Sequence, residues 1–179
     1  MNNNKILNSK RLTLIASTLE HIRTELDTPE RLATLLDASV SCAWPSGEYD
    51  RDAMEFFRDR FEEGGKAVEG WYGWYALCGS ETAGPKDLVG AGGYFGPPSV
   101  ENTVEIGYSI LPAFQRRGYA SEMVGALAEN AFTFMNVDKI IAQTTEDNPA
   151  SISVLIKSGF ERVKVKLGAD SIRFELSRA

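Results

Sequence analysis

The stretch Val104-Glu105-Ile106-Gly107-Tyr108-Ser109-Ile110, a short turn, and then Gln115-Arg116-Arg117-Gly118-Tyr119-Ala120-Ser121 decide the fold. They read as a half-polar strand followed by an amphipathic helix that continues to about Met135. Strand side chains alternate, so Glu105, Gly107 and Ser109 face one way and Val104, Ile106, Tyr108 and Ile110 the other. The first set reads as a cleft wall, with side-chain-free Gly107 leaving space beside Glu105. The second reads as core, which places Tyr108 there. A helix start carries unpaired N–H groups and positive partial charge, so a turn with two arginines and a glycine is a seat for a phosphate or pyrophosphate. In the helix, Ala120, Val124, Leu127, Ala131 and Phe134 give the apolar spacing, and Glu122, Glu129 and Thr133 lie away from it.

Downstream, Lys139-Ile140-Ile141-Ala142-Gln143-Thr144-Thr145 is a strand, and a strand–helix–strand unit of this size predicts parallel pairing with the first. Asn148-Pro149 starts another helix through Ile156, and Gly159 stops it. Residues 160–165 and 171–176 read as a terminal hairpin.

Upstream, residues 11–16 read as a strand, and Ser17-Thr18-Leu19-Glu20 as a capping box in which Ser17 and Glu20 satisfy backbone donors of a helix to about Leu26. Thr28-Pro29 opens a second short helix with Leu32, Leu35 and Leu36 on one side. In the loop 41–49, Trp44 either borders a substrate mouth or covers the edge of the core. Residues 52–63 form a helix with Met54, Phe57 and Phe61 inward, Phe56 off the stripe and Gly64-Gly65 as the stop. Residues 71–78 and 88–95 predict an antiparallel hairpin joined by the loop 79–86. No helix start follows Gly90, Gly92 and Gly93, so they indicate a bulged or closely packed strand rather than a nucleotide loop.

At 179 residues the chain is read as one domain, 1–179. Its net charge of −6 opposes broad attraction to nucleic acid or anionic lipid and favours a cationic small molecule or peptide. Two cysteines, Cys42 and Cys78, and one histidine, His21, provide neither a disulfide framework nor a metal-ligand cluster. A Cys–His nucleophile pair lacks any supporting motif. The start has no apolar signal core and no run long enough to span a membrane, so a cytoplasmic setting is expected.

The central strand, the hexapeptide Gln115-Arg116-Arg117-Gly118-Tyr119-Ala120, Asn148-Pro149-Ala150-Ser151 and Ser158-Gly159-Phe160 together resemble the GNAT acetyltransferase superfamily, most of all its RimJ/RimL branch. The family pattern Gln/Arg-x-x-Gly-x-Gly/Ala is met by Gln115, Gly118 and Ala120. Arg11-Leu12-Thr13-Leu14 also resembles this branch, although Ile15 stands where an arginine is usual. The resemblance implies an α+β fold: a central mixed, mostly antiparallel sheet flanked by helices and splayed at its central parallel strand pair, where acetyl-CoA enters. It implies an N-acetyltransferase acting on a primary amine, either a protein N-terminal α-amine or a small molecule. The alternative is a non-catalytic acyl-CoA-binding or sensing module. The oligomeric state stays open, a homodimer being the form considered.

Under that resemblance, Gln115, Arg116, Arg117, Gly118, Tyr119 and Ala120 hold the CoA pyrophosphate through backbone N–H groups and charge. Ser121 either donates to a phosphate or is solvated. Acetyl transfer needs a neutral amine, and a lysine-type amine starts near pKa ~10.4, so a proton acceptor is required. Glu105 is the candidate base, directly or through water, against the alternative of an exposed or cation-paired glutamate; Glu146 is the reserve. Backbone groups near Ser109, Ile110 and Leu111 would line the cofactor and supply donors to the reacting oxygen. Asn148 and Ser151 are implied to lie near the sulfur, Ser151 giving a proton to the departing thiolate. Helix capping alone also accounts for Asn148.

Overall fold

The computed structural model describes residues 5–45, 47, 49–79, 84–164 and 171–178. The elements in chain order are β1 (Ile6–Asn8), β2 (Leu12–Ala16), α1 (Leu19–Asp27), α2 (Leu32–Leu36), β3 (Ala38–Ser39), α3 (Arg51–Gly64), β4 (Gly73–Cys78), β5 (Lys86–Tyr94), β6 (Thr103–Ile110), α4 (Tyr119–Phe132), β7 (Lys139–Thr145), α5 (Pro149–Lys157), β8 (Glu161–Val163) and β9 (Ser171–Ser177). Single 3₁₀ turns precede α2 and follow α3 and β6.

Among the described residues the strands join one sheet in the order β1-β2-β4-β5-β6-β7-β9-β8, with β3 added beside β5. Pairing is antiparallel except between β6 and β7 and in the two-residue β3–β5 contact. This is the mixed, mostly antiparallel sheet implied by the resemblance. β6 and β7 pair only from Thr103↔Lys139 to Ile106↔Ala142. Beyond Ile106 they diverge, while β6 stays paired with β5 through Gly90↔Ile110. The sheet therefore opens into a V along residues 107–110. The expected β4–β5 hairpin is present, with a register shift at Ala76/Leu77 that makes it bulged; residues 80–83 of its loop lie outside the described residues. The terminal pair also forms, but β9 inserts between β7 and β8. Residue 165 and its successors to 170 fall outside the described residues.

Met123, Val124, Leu127 and Ala131 on α4 are fully buried against Leu14, Ala76, Val89 and Ile140 of the sheet. Burial of each larger side chain contributes about 1.5–3 kcal/mol, so this face fixes α4 on the sheet. α1 and α3 bury Ile22, Met54, Phe57 and Phe61 in a separate cluster with Tyr72 and Ala91. None of the helices is long and apolar enough to cross a membrane among the described residues.

Three local expectations are corrected. The N-cap of α1 is Thr18, whose Oγ1 accepts from the His21 amide while His21 Nδ1 accepts from the Thr18 amide. Ser17, expected in that role with Glu20, instead donates to the Gly73 carbonyl at 2.8 Å and joins α1 to β4. The helix begins one residue later because a histidine ring can replace the usual glutamate as the reciprocal acceptor. Phe134 lies past the end of α4 and packs on Trp71, with ring centroids 4.6 Å apart. Glu122, expected away from the packed face, is pinned beneath Ser9 and Arg11.

Candidate active site

The V between β6 and β7 opens into a cavity of about 450 Å³. That is within the ~300–1,000 Å³ typical of small-molecule sites. Its walls come from β6, the turn after it, the first turn of α4, the end of β7 and one face of α5. Of the residues singled out from sequence, Ile110, Gln115, Arg116, Gly118, Tyr119, Ala120, Ser121, Asn148 and Ser151 line it. Glu105, Leu111 and Arg117 do not.

The phosphate-seat geometry arises at Gly118. It caps α4 with φ +84°, and no side chain caps the helix there. L-residues adopt this left-handed conformation at a cost, whereas glycine adopts it freely. The turn enters it through Arg116, whose φ is +60°. The orphan amides of the first turn of α4 and the Arg116 side chain thus border the cavity, and Lys157 from the last turn of α5 borders it as well. An uncapped helix start with two cations on one cavity suits a pyrophosphate-bearing group. Gln115 donates through Nε2 to the Ile110 carbonyl at 3.0 Å and holds the turn against β6.

Arg11, not assigned a role from sequence, holds that helix start in place. Its Nε and Nη2 each lie 2.7 Å from Glu122 Oε2, Nη1 donates to the Arg117 carbonyl at 2.9 Å, and its guanidinium stacks 4.6 Å from the Tyr119 ring centroid. Burial by itself pushes the Glu122 carboxyl up, but hydrogen bonds from Ser9 and Arg11, with the Arg11 charge, outweigh it and hold it below the usual value. The Arg117 guanidinium lies 5.6 Å from the ring centroid of Phe114, and Arg117 is not among the residues that line the cavity.

Pairing parity along β6 determines which backbone groups face the V. Phe95 N–H donates to the Glu105 carbonyl and Leu111 N–H to the Val89 carbonyl, each within the β5–β6 ladder. Odd-numbered residues of β6 therefore address β5, and the backbone of Tyr108 and Ile110 addresses the opening. This corrects the expectation for Ser109 and Leu111: the Leu111 amide is committed to Val89, and its side chain is buried. Ile110 alone of the three presents its backbone to the V.

Tyr108 is a second correction. It is half-buried rather than core, and its hydroxyl lies 3.0 Å from Ser151 Oγ and 3.2 Å from the Ser151 carbonyl. Strand alternation places it on the helix-covered side, as expected, but the V removes the neighbouring strand and leaves its ring on the cavity wall. Asn148 caps α5 by accepting from the Ser151 amide at 3.0 Å, which fixes Ser151 at the cavity.

On the other face of β6, Glu105 accepts from Gln143 Nε2 at 3.0 Å. The space expected over Gly107 is filled: an added Cβ there would meet the Phe95 ring at 3.0 Å. Beyond Phe95 lies a smaller cavity of about 70 Å³, bordered by Tyr49, Ala53, Phe57 and Phe95 and sharing Gly107, Tyr108 and Ser109 with the larger one. The two cavities meet across the central strand. Gly47, at φ +68°, abuts Ser109 so closely that a Cβ would sit 2.4 Å from its Oγ. The loop 41–49 therefore borders both cavities through Gly47 and Tyr49, whereas Trp44 covers the core, packed on both smaller clusters. Glu146 is engaged by Arg162. Cys78 donates to the Tyr119 hydroxyl, while His21 is buried in α1.

Residues 17–161 match the family described as an acetyltransferase (GNAT) domain. The chain is 33% identical over 84 residues to the uncharacterized N-acetyltransferase YoaA of Bacillus subtilis (strain 168), covering 47% of this chain and 48% of that protein; it thus spans about half the length of this relative. The fold is similar to that of a GNAT-family acetyltransferase from Bacillus anthracis, with TM-score 0.61, 21% identity and coverage of 97% and 98% of the two chains. It is also similar to RimL, a ribosomal L7/L12 α-N-protein acetyltransferase solved with coenzyme A, with TM-score 0.66, 16% identity and coverage of 97% and 98%. With the splayed parallel pair, the uncapped helix start and a family match over most of its length, the chain belongs to the GNAT acetyltransferase family.

Proposed function

We propose that this protein transfers an acetyl group from acetyl-CoA to a primary amine, the amine entering from the smaller cavity and the thioester from the larger. The observation that carries this reading is that the two cavities share Gly107, Tyr108 and Ser109, so ligands on opposite faces of β6 would meet at one strand. Acetyl-CoA supplies the activated acyl group. The amides of Tyr119, Ala120 and Ser121, with Arg116 and Lys157, bind its phosphates. Ile110 offers its amide to the acyl oxygen through the V. Asn148 orients Ser151, which with Tyr108 gives a proton to the leaving sulfur. Glu105 takes the amine proton through water, since it lies outside the lining of both cavities.

The acceptor is a protein N-terminus or a small amine. The apolar lining of the smaller cavity favours an α-amine, since an amine flanked by a small apolar side chain fits better there than a polycation. The test is release of the CoA thiol from acetyl-CoA over a panel of Ala-, Ser- and Met-initiated peptides, spermidine and aminoglycosides, alongside calorimetric binding of acetyl-CoA. Turnover with peptides supports the reading. Tight binding with no turnover on any amine would instead indicate a sensing module, and no binding would refute both.

A further inference from the structure

One carboxyl group stands in a position that a core side chain would normally take. Glu25 lies on the inward face of α1 with His21 and Ile22, and is 7% exposed. Burial pushes its carboxyl up, opposed by hydrogen bonds from Tyr49, Tyr75 and Trp44. An apolar residue there would avoid the desolvation cost, and replacing buried polar clusters by apolar groups is often neutral or stabilising. What a carboxyl does that a leucine cannot is accept from several donors at once. Trp44 Nε1 donates to Oε1 at 2.7 Å, and the Tyr49 and Tyr75 hydroxyls both donate to Oε2 at 2.5 Å. Tyr75 belongs to β4, in the sheet. Trp44 and Tyr49 belong to the loop between β3 and α3, whose described residues pair with no strand.

The consequence is positional. Tyr49 walls the smaller cavity, and Gly47, between the two residues that Glu25 holds, touches Ser109 on the shared stretch of β6. We infer that Glu25 is the positioning residue of the acceptor cavity: it fastens Trp44 and Tyr49 to α1 and β4, and thereby sets the wall against which the amine is held. This rests on the reading of the smaller cavity as the acceptor site. Glu25 touches neither cofactor nor amine, so its effect is expected on recognition of the amine and not of acetyl-CoA, which is bound on the far side of β6.

The experiment compares wild type with E25Q, Y49F and Y75F. Glutamine keeps the shape of Glu25 but offers one acceptor and one donor in place of two acceptors, so a donor is set against a donor. The KM for the best acceptor of the panel above should rise about tenfold or more in E25Q, less in Y49F and least in Y75F, with the KM for acetyl-CoA within about twofold of wild type. Hydrogen exchange should quicken at Trp44 and Tyr49 in E25Q and remain unchanged in α4 and α5. If E25Q does not fold, Y49F, which removes one hydroxyl, decides by the same two readouts. Equal rises in both KM values, or an unchanged amine KM in E25Q and Y49F, overturn the positioning role while leaving acetyl transfer standing. Absence of turnover with every amine overturns acetyl transfer itself, and the acceptor role with it.

Discussion

The Tyr108 hydroxyl lies 3.0 Å from Ser151 Oγ, joining the central strand to the start of α5 across the gap where the sheet has opened. The contact exists because β6 and β7 stop pairing at Ile106↔Ala142. Had they continued, a parallel neighbour would occupy the space that the tyrosine spans.

If this pair delivers a proton to the leaving sulfur, S151A should lower kcat by about 10²-fold, the usual size of a general-acid contribution, while leaving the KM for acetyl-CoA nearly unchanged. Y108F should lose less, because Ser151 keeps its position through the Asn148 cap. Steady-state kinetics with saturating amine would decide it. An S151A enzyme with wild-type kcat would limit Ser151 to a capping neighbour.

Glu105 is held by Gln143 and lies outside both cavity linings. A base working through water from there should matter most where free neutral amine is scarcest. E105Q is therefore expected to depress kcat/KM at least about tenfold at the acid end of the profile and less at high pH. Superimposable pH–rate profiles for E105Q and wild type would remove it from the reaction.

Gly118 combines a left-handed backbone with a neighbour: an added Cβ would meet Arg11 Nη2 at 3.3 Å. G118V should cost about 1–2 kcal/mol in stability for the dihedral alone and weaken acetyl-CoA binding further, because the helix amides are turned from the cavity. Denaturant melts and calorimetry on one preparation would separate the two effects. Unaltered CoA affinity in a destabilised protein would mean that the turn does not contact the cofactor.

Glu122 titrates below its ordinary value of 4.5 when folded. For a depressed acid the unfolded chain binds the proton more tightly, so the stability it contributes is present above about pH 4.5 and is lost as pH falls through the folded value. E122Q should be less stable than wild type at pH 7, by about 1–2 kcal/mol for charge-assisted bonds to a part-exposed arginine. The gap should narrow as pH falls below 4.5 and through the lower folded value. Thermal melts from pH 7 to 3 measure it, and a gap independent of pH would assign the effect to packing.

Much of the site was legible because its signals are local. Gly118 before an apolar helix, Asn148-Pro149 before another, and strands on either side follow from dihedral preference, capping and periodicity, each set within a few residues. The misassigned residues depend on partners far away in sequence. Ser17 caps nothing because Gly73 claims its hydroxyl. Leu111 gives no amide to the V because Val89 takes it. Gly107 leaves no gap because Phe95, from the end of the adjacent hairpin, covers it. Arg11 carried a signal, its place beside a resembling motif, but nothing in residues 11–16 shows that its partner is Glu122.

The sequence by itself determined the order of the helices and of every strand but β1 and β3, the parallel crossover around α4 and the glycine-led helix start at Gly118, since these arise from interactions a few residues apart. Tertiary structure alone decided that β6 and β7 part company at Ile106, which backbone groups then face the opening, and that Tyr108 belongs to the cavity rather than the core. It also gathered Trp44, Tyr49 and Tyr75 onto Glu25. Those outcomes depend on sheet register and on which distant side chain reaches a given atom first, and no window along the chain contains both partners.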